Sequence, residues 1–133
     1  MDDKEMILSV GTEMLTSMGF DVVCAKSGEE AIERYKKEKD AGKPFDCVIL
    51  DLTIPGKMGG EKANKILKRM TPDLVSIVSS GYSNNPVMAN YKEYGFTDVV
   101  VKPYKMEDLK QVMFRLLGKK KNGQMTTEKS EMI

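Results

Sequence analysis

An α/β fold, with a parallel sheet covered by helices on both faces, is the architecture this sequence predicts, and three observations carry it. Short apolar runs alternate with amphipathic helical segments along the chain, which implies right-handed crossovers between parallel strands. The run Val48-Ile49-Leu50 is apolar at every position, as expected for a strand buried on both faces. It ends on a carboxylate, Asp51, and Pro55-Gly56 stops any regular element after it. A charged side chain at the carboxyl end of a buried strand stands where open α/β sheets bind ligands.

The elements follow in order. Met6, Ile7, Val10, Met14 and Met18 recur at helical spacing, so the first helix runs from about Lys4 to Met18 and is closed by Gly19. Phe20 to Ala25 is a strand. Ser27 followed by Glu30 is a capping box, and Ala31, Ile32 and Tyr35 carry that helix to about Glu38. Asp40 to Pro44 is a loop into the Asp51 strand. Ala63, Ile66, Leu67 and Met70 mark a third helix, ended by Thr71-Pro72. Leu74 to Val78 is a strand followed directly by Ser79-Ser80-Gly81. A short helix from Val87 to Tyr94 stops at Gly95, the strand Val99–Val101 ends in Lys102-Pro103, and Leu109, Val112, Met113 and Leu116 form the last helix, stopped by Gly118. From Lys119 to Ile133 apolar periodicity is lost, and the expectation is a solvated, flexible tail behind a domain of residues 1–118.

Composition narrows the function classes. A chain of 133 residues suits one domain with one core. A formal net charge of +1 gives no global pull toward nucleic acid or an anionic membrane. No apolar run approaches the ~20 residues of a membrane span, and the acidic start Met1-Asp2-Asp3-Lys4-Glu5 is unlike a signal peptide, so a cytoplasmic location is expected. Cys24 and Cys47 both lie in apolar strand-like runs, where buried free thiols are the expectation rather than a disulfide. With no histidine, zinc sites and Ser-His or Cys-His hydrolase schemes fall away.

In a parallel sheet all strand carboxyl ends share one edge. Asp51, Ser80 and Lys102 fall there, and Asp2-Asp3 precedes the first helix. A strand spacing of ~4.8 Å would gather them around one cleft. Singly, each has a plain explanation: a helix N-terminal acid, a turn former, a surface cation. As a set they suit phosphoryl transfer. Two carboxylates ~5 Å apart repel by about 3 kcal/mol at an effective dielectric near 20. A hard cation with oxygen ligands and retained waters, Mg²⁺, relieves this. Asp51 is then the nucleophile, Lys102 a positive point charge for phosphate oxygens, and Ser80 a hydrogen-bond donor.

The acidic pair Asp2-Asp3, the Asp51-Leu52-Thr53-Ile54-Pro55 segment, Ser80-Gly81 and Lys102-Pro103 together resemble the response regulator receiver (CheY-like) domain over residues 1 to about 117. Asp51 to Gly60 with Ser79 to Ser83 looks most like receivers attached to hybrid sensor histidine kinases. The resemblance implies a flavodoxin-like doubly wound sheet of order 2-1-3-4-5 and a signalling module rather than a metabolic enzyme. It implies that Asp51 accepts phosphate from a histidine kinase or histidine phosphotransfer protein. It further implies Mg²⁺ held directly by Asp3 and Asp51, by Asp2 mostly through water, and by the main-chain carbonyl of Thr53. Ser80 would be the switch hydroxyl, and Lys102 would contact phosphate behind a cis peptide at Pro103. The output face would be Val87–Tyr94, Val99–Val101 and Lys105–Leu117.

Two departures stand out. Val99 occupies the position where many receivers carry the aromatic partner of the switch hydroxyl; Tyr104 matches a different aromatic of the family. More seriously, the central first strand that precedes the acidic pair is largely absent. Its loss would leave two rows of backbone groups unpaired. A truncated or mis-set start, a strand donated by a partner, a second copy or an upstream segment, and a sheet closed differently with residues 2–3 displaced from Asp51 are the three ways out. The alternative function is a pseudo-receiver, a protein-binding module with an incomplete pocket. A haloacid-dehalogenase-type phosphatase is disfavoured because Thr53 stands where a second Asp is wanted, and Gly56, Gly59 and Gly60 do not make a dinucleotide turn. Nucleic-acid binding by this chain alone is not expected.

Overall fold

The computed structural model of the chain describes residues 1–81, 84–117 and 130–132. In chain order the elements are α1 (Glu5–Ser17), β1 (Asp21–Val23), α2 (Gly28–Asp40), β2 (Cys47–Asp51), α3 (Gly60–Met70), β3 (Val75–Ser80), α4 (Pro86–Ala89), a 3₁₀ turn (Tyr91–Tyr94), β4 (Asp98–Val101), α5 (Met106–Leu117) and β5 (Ser130–Met132). All strand pairs are parallel, and the sheet order is β1-β5-β2-β3-β4.

Alternation along β2 sorts the core into two halves. Val48 and Leu50 face one side, where they meet Ala31 and Tyr35 of α2 and Ala63 and Leu67 of α3. Cys47 and Ile49 face the other, against Leu8 and Leu15 of α1 and Leu109, Val112 and Met113 of α5. This period of two explains why the run is apolar throughout: both faces of the strand are covered. Cys24 and Cys47 are free thiols.

Local chemistry sets the helix starts. Ser27 caps α2 by accepting the Glu30 N–H at 3.2 Å, while Glu30 accepts the Lys26 N–H at 2.9 Å, the reciprocal bonds of a capping box. Asn85 caps α4 from its side chain and Pro86 takes its first turn. The sequence predicts one helix from Val87 to Tyr94, but α4 ends at Ala89 and the chain tightens into the 3₁₀ turn, which Gly95 closes at φ +84°. At α3 the fit is backbone on backbone. A Cβ on Gly60 would sit 2.6 Å from the Asp51 carbonyl oxygen, and one on Gly59 would sit 2.5 Å from that of Leu52. These two glycines let α3 begin directly against the carboxyl end of β2.

The largest difference from expectation concerns the missing strand. The sheet keeps the expected order, but the central position belongs to β5. Ser130–Met132, expected within a solvated tail, lies between β1 and β2 instead. Ser-Glu-Met carries no apolar pattern, so the pairing demand comes from the backbones of β1 and β2 and not from β5 itself. The remainder of the expected tail, residues 118–129 and 133, lies outside the described residues. A sheet closed differently, with residues 2–3 displaced from Asp51, is ruled out by the contacts given below.

The Gly60 contact is testable by substitution. Gly60→Ala is expected to destabilise the fold by about 1–3 kcal/mol, because backbone must yield to the added methyl. The check is a urea titration in which the midpoint falls while the slope is unchanged; an unmoved midpoint would contradict the close approach.

Candidate functional site

Everything at the carboxyl edge of the sheet is referred to β2. The Asp51 N–H donates to the Met1 carbonyl at 2.9 Å, and the Met1 amino nitrogen donates to the Ile49 carbonyl at 2.6 Å. Met1 thus lies alongside β2 as a strand residue would. On the other side the Asp2 N–H donates to the Ala25 carbonyl at 3.0 Å, just past the end of β1. Asp2 also accepts the Lys4 N–H at 3.0 Å, an Asx-type turn that leads into α1. Two short stretches of backbone pairing therefore place the N-terminal acids beside Asp51.

From β4, Lys102 closes the group. Its ammonium donates to Asp2 Oδ2 at 2.8 Å and to Asp51 Oδ1 at 3.0 Å. The lysine is itself held by its N–H, which donates to the Ser80 carbonyl at 2.9 Å, and the Lys102–Pro103 peptide is cis. Asp2 and Asp51 are 1% and 4% exposed, so these pairs are buried links and not surface salt bridges. Asp3, by contrast, is exposed at the mouth. Asp3, Lys4, Asp51, Thr53, Pro55, Ser80, Gly81 and Lys102 line a cavity of about 190 Å³. A larger groove of about 550 Å³ runs between Leu52 and α3, away from these groups.

Burial is the main force on the Asp51 carboxyl and pushes it above the ordinary carboxylate range; Asp2 and Asp3 push the same way, and the Lys102 hydrogen bond opposes them. For Lys102, burial acts to lower the ammonium. Its hydrogen bonds to Asp2 and Asp51 outweigh that, and the group is held above its usual value. One cation thus stands between buried carboxylates whose mutual repulsion it only partly relieves.

The donor set fits a hard divalent ion. One carboxylate oxygen each from Asp2, Asp3 and Asp51 lie within 4.8 Å of one another, oxygen donors of the kind Mg²⁺ takes alongside retained water. Thr53 lines the same cavity. The structure therefore brings Asp2, Asp3, Asp51, Ser80 and Lys102 to one cleft, the grouping the strand-end argument predicts, together with Thr53, which the family resemblance implies.

Two participants escaped the sequence. Met1 reads as a start residue, yet its backbone carries the register of the acidic pair. Ser79 reads only as the residue that follows a strand, but its hydroxyl shares a 2.9 Å hydrogen bond with the buried Tyr104 hydroxyl. Burial holds the Tyr104 phenol well above its ordinary value, so it stays protonated. A serine at an inward strand position opposite an aromatic just beyond the lysine is a signal only once strand pairing is known.

Residues 1–114 match the response regulator receiver domain family. Transcription factor SKN7 of Chaetomium thermophilum is 24% identical over 118 residues, which cover 89% of this chain and 15% of that protein; the chain thus spans a small part of that relative's length. Among solved structures, the CheX-CheY-BeF3-Mg²⁺ complex from Borrelia burgdorferi aligns with a TM-score of 0.78 at 25% identity, over 87% of this chain and 84% of its own. The receiver domain of the sensor histidine kinase PA1611 from Pseudomonas aeruginosa, described with magnesium coordinated in its active-site cleft, aligns with a TM-score of 0.75 at 20% identity, over 88% of this chain and 93% of its own. The family match takes in every group at the cleft, from the N-terminal acids to the Lys102 strand end, and so the chain belongs to the response regulator receiver domain family.

Proposed function

We propose that the chain is a phospho-accepting module of a two-component relay, taking a phosphoryl group onto Asp51 from the phosphohistidine of a histidine kinase or a histidine phosphotransfer protein. The observation that carries this is the Lys102 ammonium within hydrogen-bond distance of both Asp2 and Asp51 at the mouth of an acidic cavity. In the transfer an Asp51 oxygen attacks phosphorus, the phosphorus–nitrogen bond to the donor imidazole breaks, and the imidazole departs with the electron pair and takes a proton. Asp51 is then an acyl phosphate. Asp3 and Asp51 would ligate Mg²⁺ directly, with Asp2 through water and the Thr53 main-chain carbonyl, and the bound ion supplies positive charge to the phosphoryl oxygens.

The chain's own groups do the rest. Lys102 sits where it can leave a carboxylate oxygen for a phosphate oxygen, and the Ser80 hydroxyl, also on the cavity wall, can donate to another. Phosphorylation replaces one negative charge by about two, a change that biases the β3–β4 edge. Val99 leaves no aromatic at the position from which many receivers answer Ser80, and the Tyr104 hydroxyl already pairs with Ser79. Output in this chain therefore relies on Ser80, Lys102 and the surface they brace, namely α4, β4 and α5. A resemblance to receivers of hybrid kinases fits the Asp51–Gly60 segment and makes an intramolecular or relay donor the partner class to test first.

Incubation with acetyl phosphate and Mg²⁺ is expected to add one phosphoryl group per chain, read by intact mass, and Asp51→Asn is expected to abolish it. A folded protein that takes no label with Mg²⁺ present would instead favour the pseudo-receiver. Stability gives an independent check. Mg²⁺ at about one hundred times its Kd is expected to stabilise the native protein by about 2.7 kcal/mol, and to do much less for Asp51→Asn, read by thermal denaturation; equal responses of the two chains would contradict the ligand set.

The pH dependence follows from the raised Asp51 carboxyl. A group whose folded pKa lies above its unfolded value keeps its proton longer in the folded chain. Metal-free stability is therefore expected to fall as pH rises through the window between the ordinary carboxylate range and the raised value. The stability difference between the native protein and Asp51→Asn, read by denaturation across pH 4–7, should carry that slope, because the opposing slope from the Met1 amine, pushed down to about 5 by burial, is common to both chains. A slope of opposite sign that vanishes with the substitution would overturn the assignment of burial as the dominant force.

A further inference from the structure

The first turn of α2 makes contacts that the site does not use. The helix opens on Gly28 and Glu29. The Gly28 N–H donates to the Met58 carbonyl at 2.8 Å, and the Met58 N–H donates to Glu29 Oε1 at 3.1 Å. Both backbone polar groups of one residue in the loop between β2 and α3 are thus held by consecutive residues of another element. The approach is close. A Cβ on Gly28 would sit 2.7 Å from Met58 Cγ, 2.8 Å from its carbonyl oxygen and 2.9 Å from its Cβ. Glycine is a poor helix former, so helix propensity does not account for it here; the approach of Met58 does. The Glu29 carboxyl lies below the ordinary carboxylate range, held there by hydrogen bonds from its own N–H and from that of Met58.

We propose that Gly28 and Glu29 form a two-point clamp on Met58, and that through it they are positioning residues for the ion ligands of the cleft. The loop they hold is the one that lines the cavity with Thr53 and Pro55. It leaves β2 with the Leu52 N–H on the Ser79 carbonyl at 2.8 Å. It then buries Ile54 in the core and turns, with the Lys57 N–H donating to the Ile54 carbonyl at 3.1 Å. Met58 follows directly, so the clamp ends that turn against α2. The same stretch of chain also fixes the acidic side, since the Ala25 carbonyl accepts the Asp2 N–H at 3.0 Å. Residues 25–29 therefore set the separation between the N-terminal acids and the Thr53 loop.

The consequence is that a side chain outside the cavity governs how well the cavity holds a divalent ion. Glu29 is exposed and does not line the cavity. Its removal frees the Met58 N–H, and Thr53 is then no longer held at a fixed distance from Asp51. A role through bulk charge would look different. Any neutral residue at position 29 would then weaken cation binding alike, whereas the clamp tolerates glutamine, whose side-chain oxygen still accepts a hydrogen bond. The consequence for the ion rests on the phosphoacceptor reading above; the clamp itself does not.

Amide hydrogen exchange and a Mg²⁺ titration followed by amide NMR, both on the full chain, test the two parts separately. In Glu29→Ala the Met58 amide is expected to exchange about tenfold faster or more, while the amides of residues 33–37 within α2 stay within about threefold of the native chain. The Kd for Mg²⁺, read at the amides of residues 51–54, is expected to rise about threefold or more, short of the roughly 10–100-fold typical of a group bonded to a metal ligand. Glu29→Gln is expected to stay within about twofold of the native chain on both readouts. An unchanged Met58 exchange rate in Glu29→Ala would overturn the clamp, and an unchanged Kd beside a freed Met58 would overturn its positioning role. Equal losses of Mg²⁺ affinity in the alanine and glutamine chains would overturn that role as well, since charge alone would then explain them. A native chain that binds no Mg²⁺ would sink the phosphoacceptor reading instead, and Met58 exchange alone would then decide the clamp.

Discussion

Two backbone hydrogen bonds from Met1 hold the carboxyl edge of this sheet together. The bonds to Ile49 and from Asp51 fix where the chain enters α1, and so they fix the distance from Asp2 and Asp3 to Asp51. A buried strand requires that its peptide groups be paired, and this requirement sets the geometry before any side chain is considered. The same requirement, exerted upstream by β1 and β2, accounts for a strand as unpromising as Ser130–Met132 in the middle of the sheet. Site and sheet are consequences of one demand.

On that frame the electrostatics set burial against pairing. Desolvation of Asp51 is the largest influence on its carboxyl, and it is unfavourable to charge. Lys102 opposes it from 3.0 Å, but it also serves Asp2 at 2.8 Å, so no carboxylate has the cation to itself. Removing one partner of such a buried group costs several kcal/mol because the others are left uncompensated. The arrangement is stable enough to exist and strained enough to welcome more positive charge. That is the condition under which a divalent ion binds and a phosphoryl group can approach an anion. Tyr104, held protonated beside Ser79, adds a neutral brace behind Asp51 and takes no charge of its own.

Much of this was legible in the chain. The Asp51 strand announces itself because both its faces are apolar, and the α2 start because Ser27 and Glu30 have a local, sequence-encoded partnership. Asp51, Ser80 and Lys102 could be grouped because parallel strands share an edge, a rule that needs no coordinates. What stayed hidden depends on distant backbone. Ser130–Met132 has neither length nor pattern to mark it as a strand, since its partners lie about 80 and 110 residues away in sequence, an estimate from the register of a parallel ladder. The helix breaks at Asn90, whose backbone leaves helical geometry at φ −119° and ψ 38° before the Tyr91–Tyr94 turn, and the periodicity of Val87 to Tyr94 gives no warning of it. The close approach of Gly59 and Gly60 to the end of β2 likewise reads as a flexible turn until the helix is placed.

The central claim is that the N-terminal acids, Asp51 and Lys102 form one cleft able to hold a divalent ion. A two-dimensional amide NMR titration of the metal-free chain with Mg²⁺ tests it most directly. The account predicts that residues 2–4, 51–54 and 80–81, together with Lys102, shift along a single saturable curve with one Kd. Shifts confined to one of these segments, or scattered over exposed acidic residues without saturation, would contradict it.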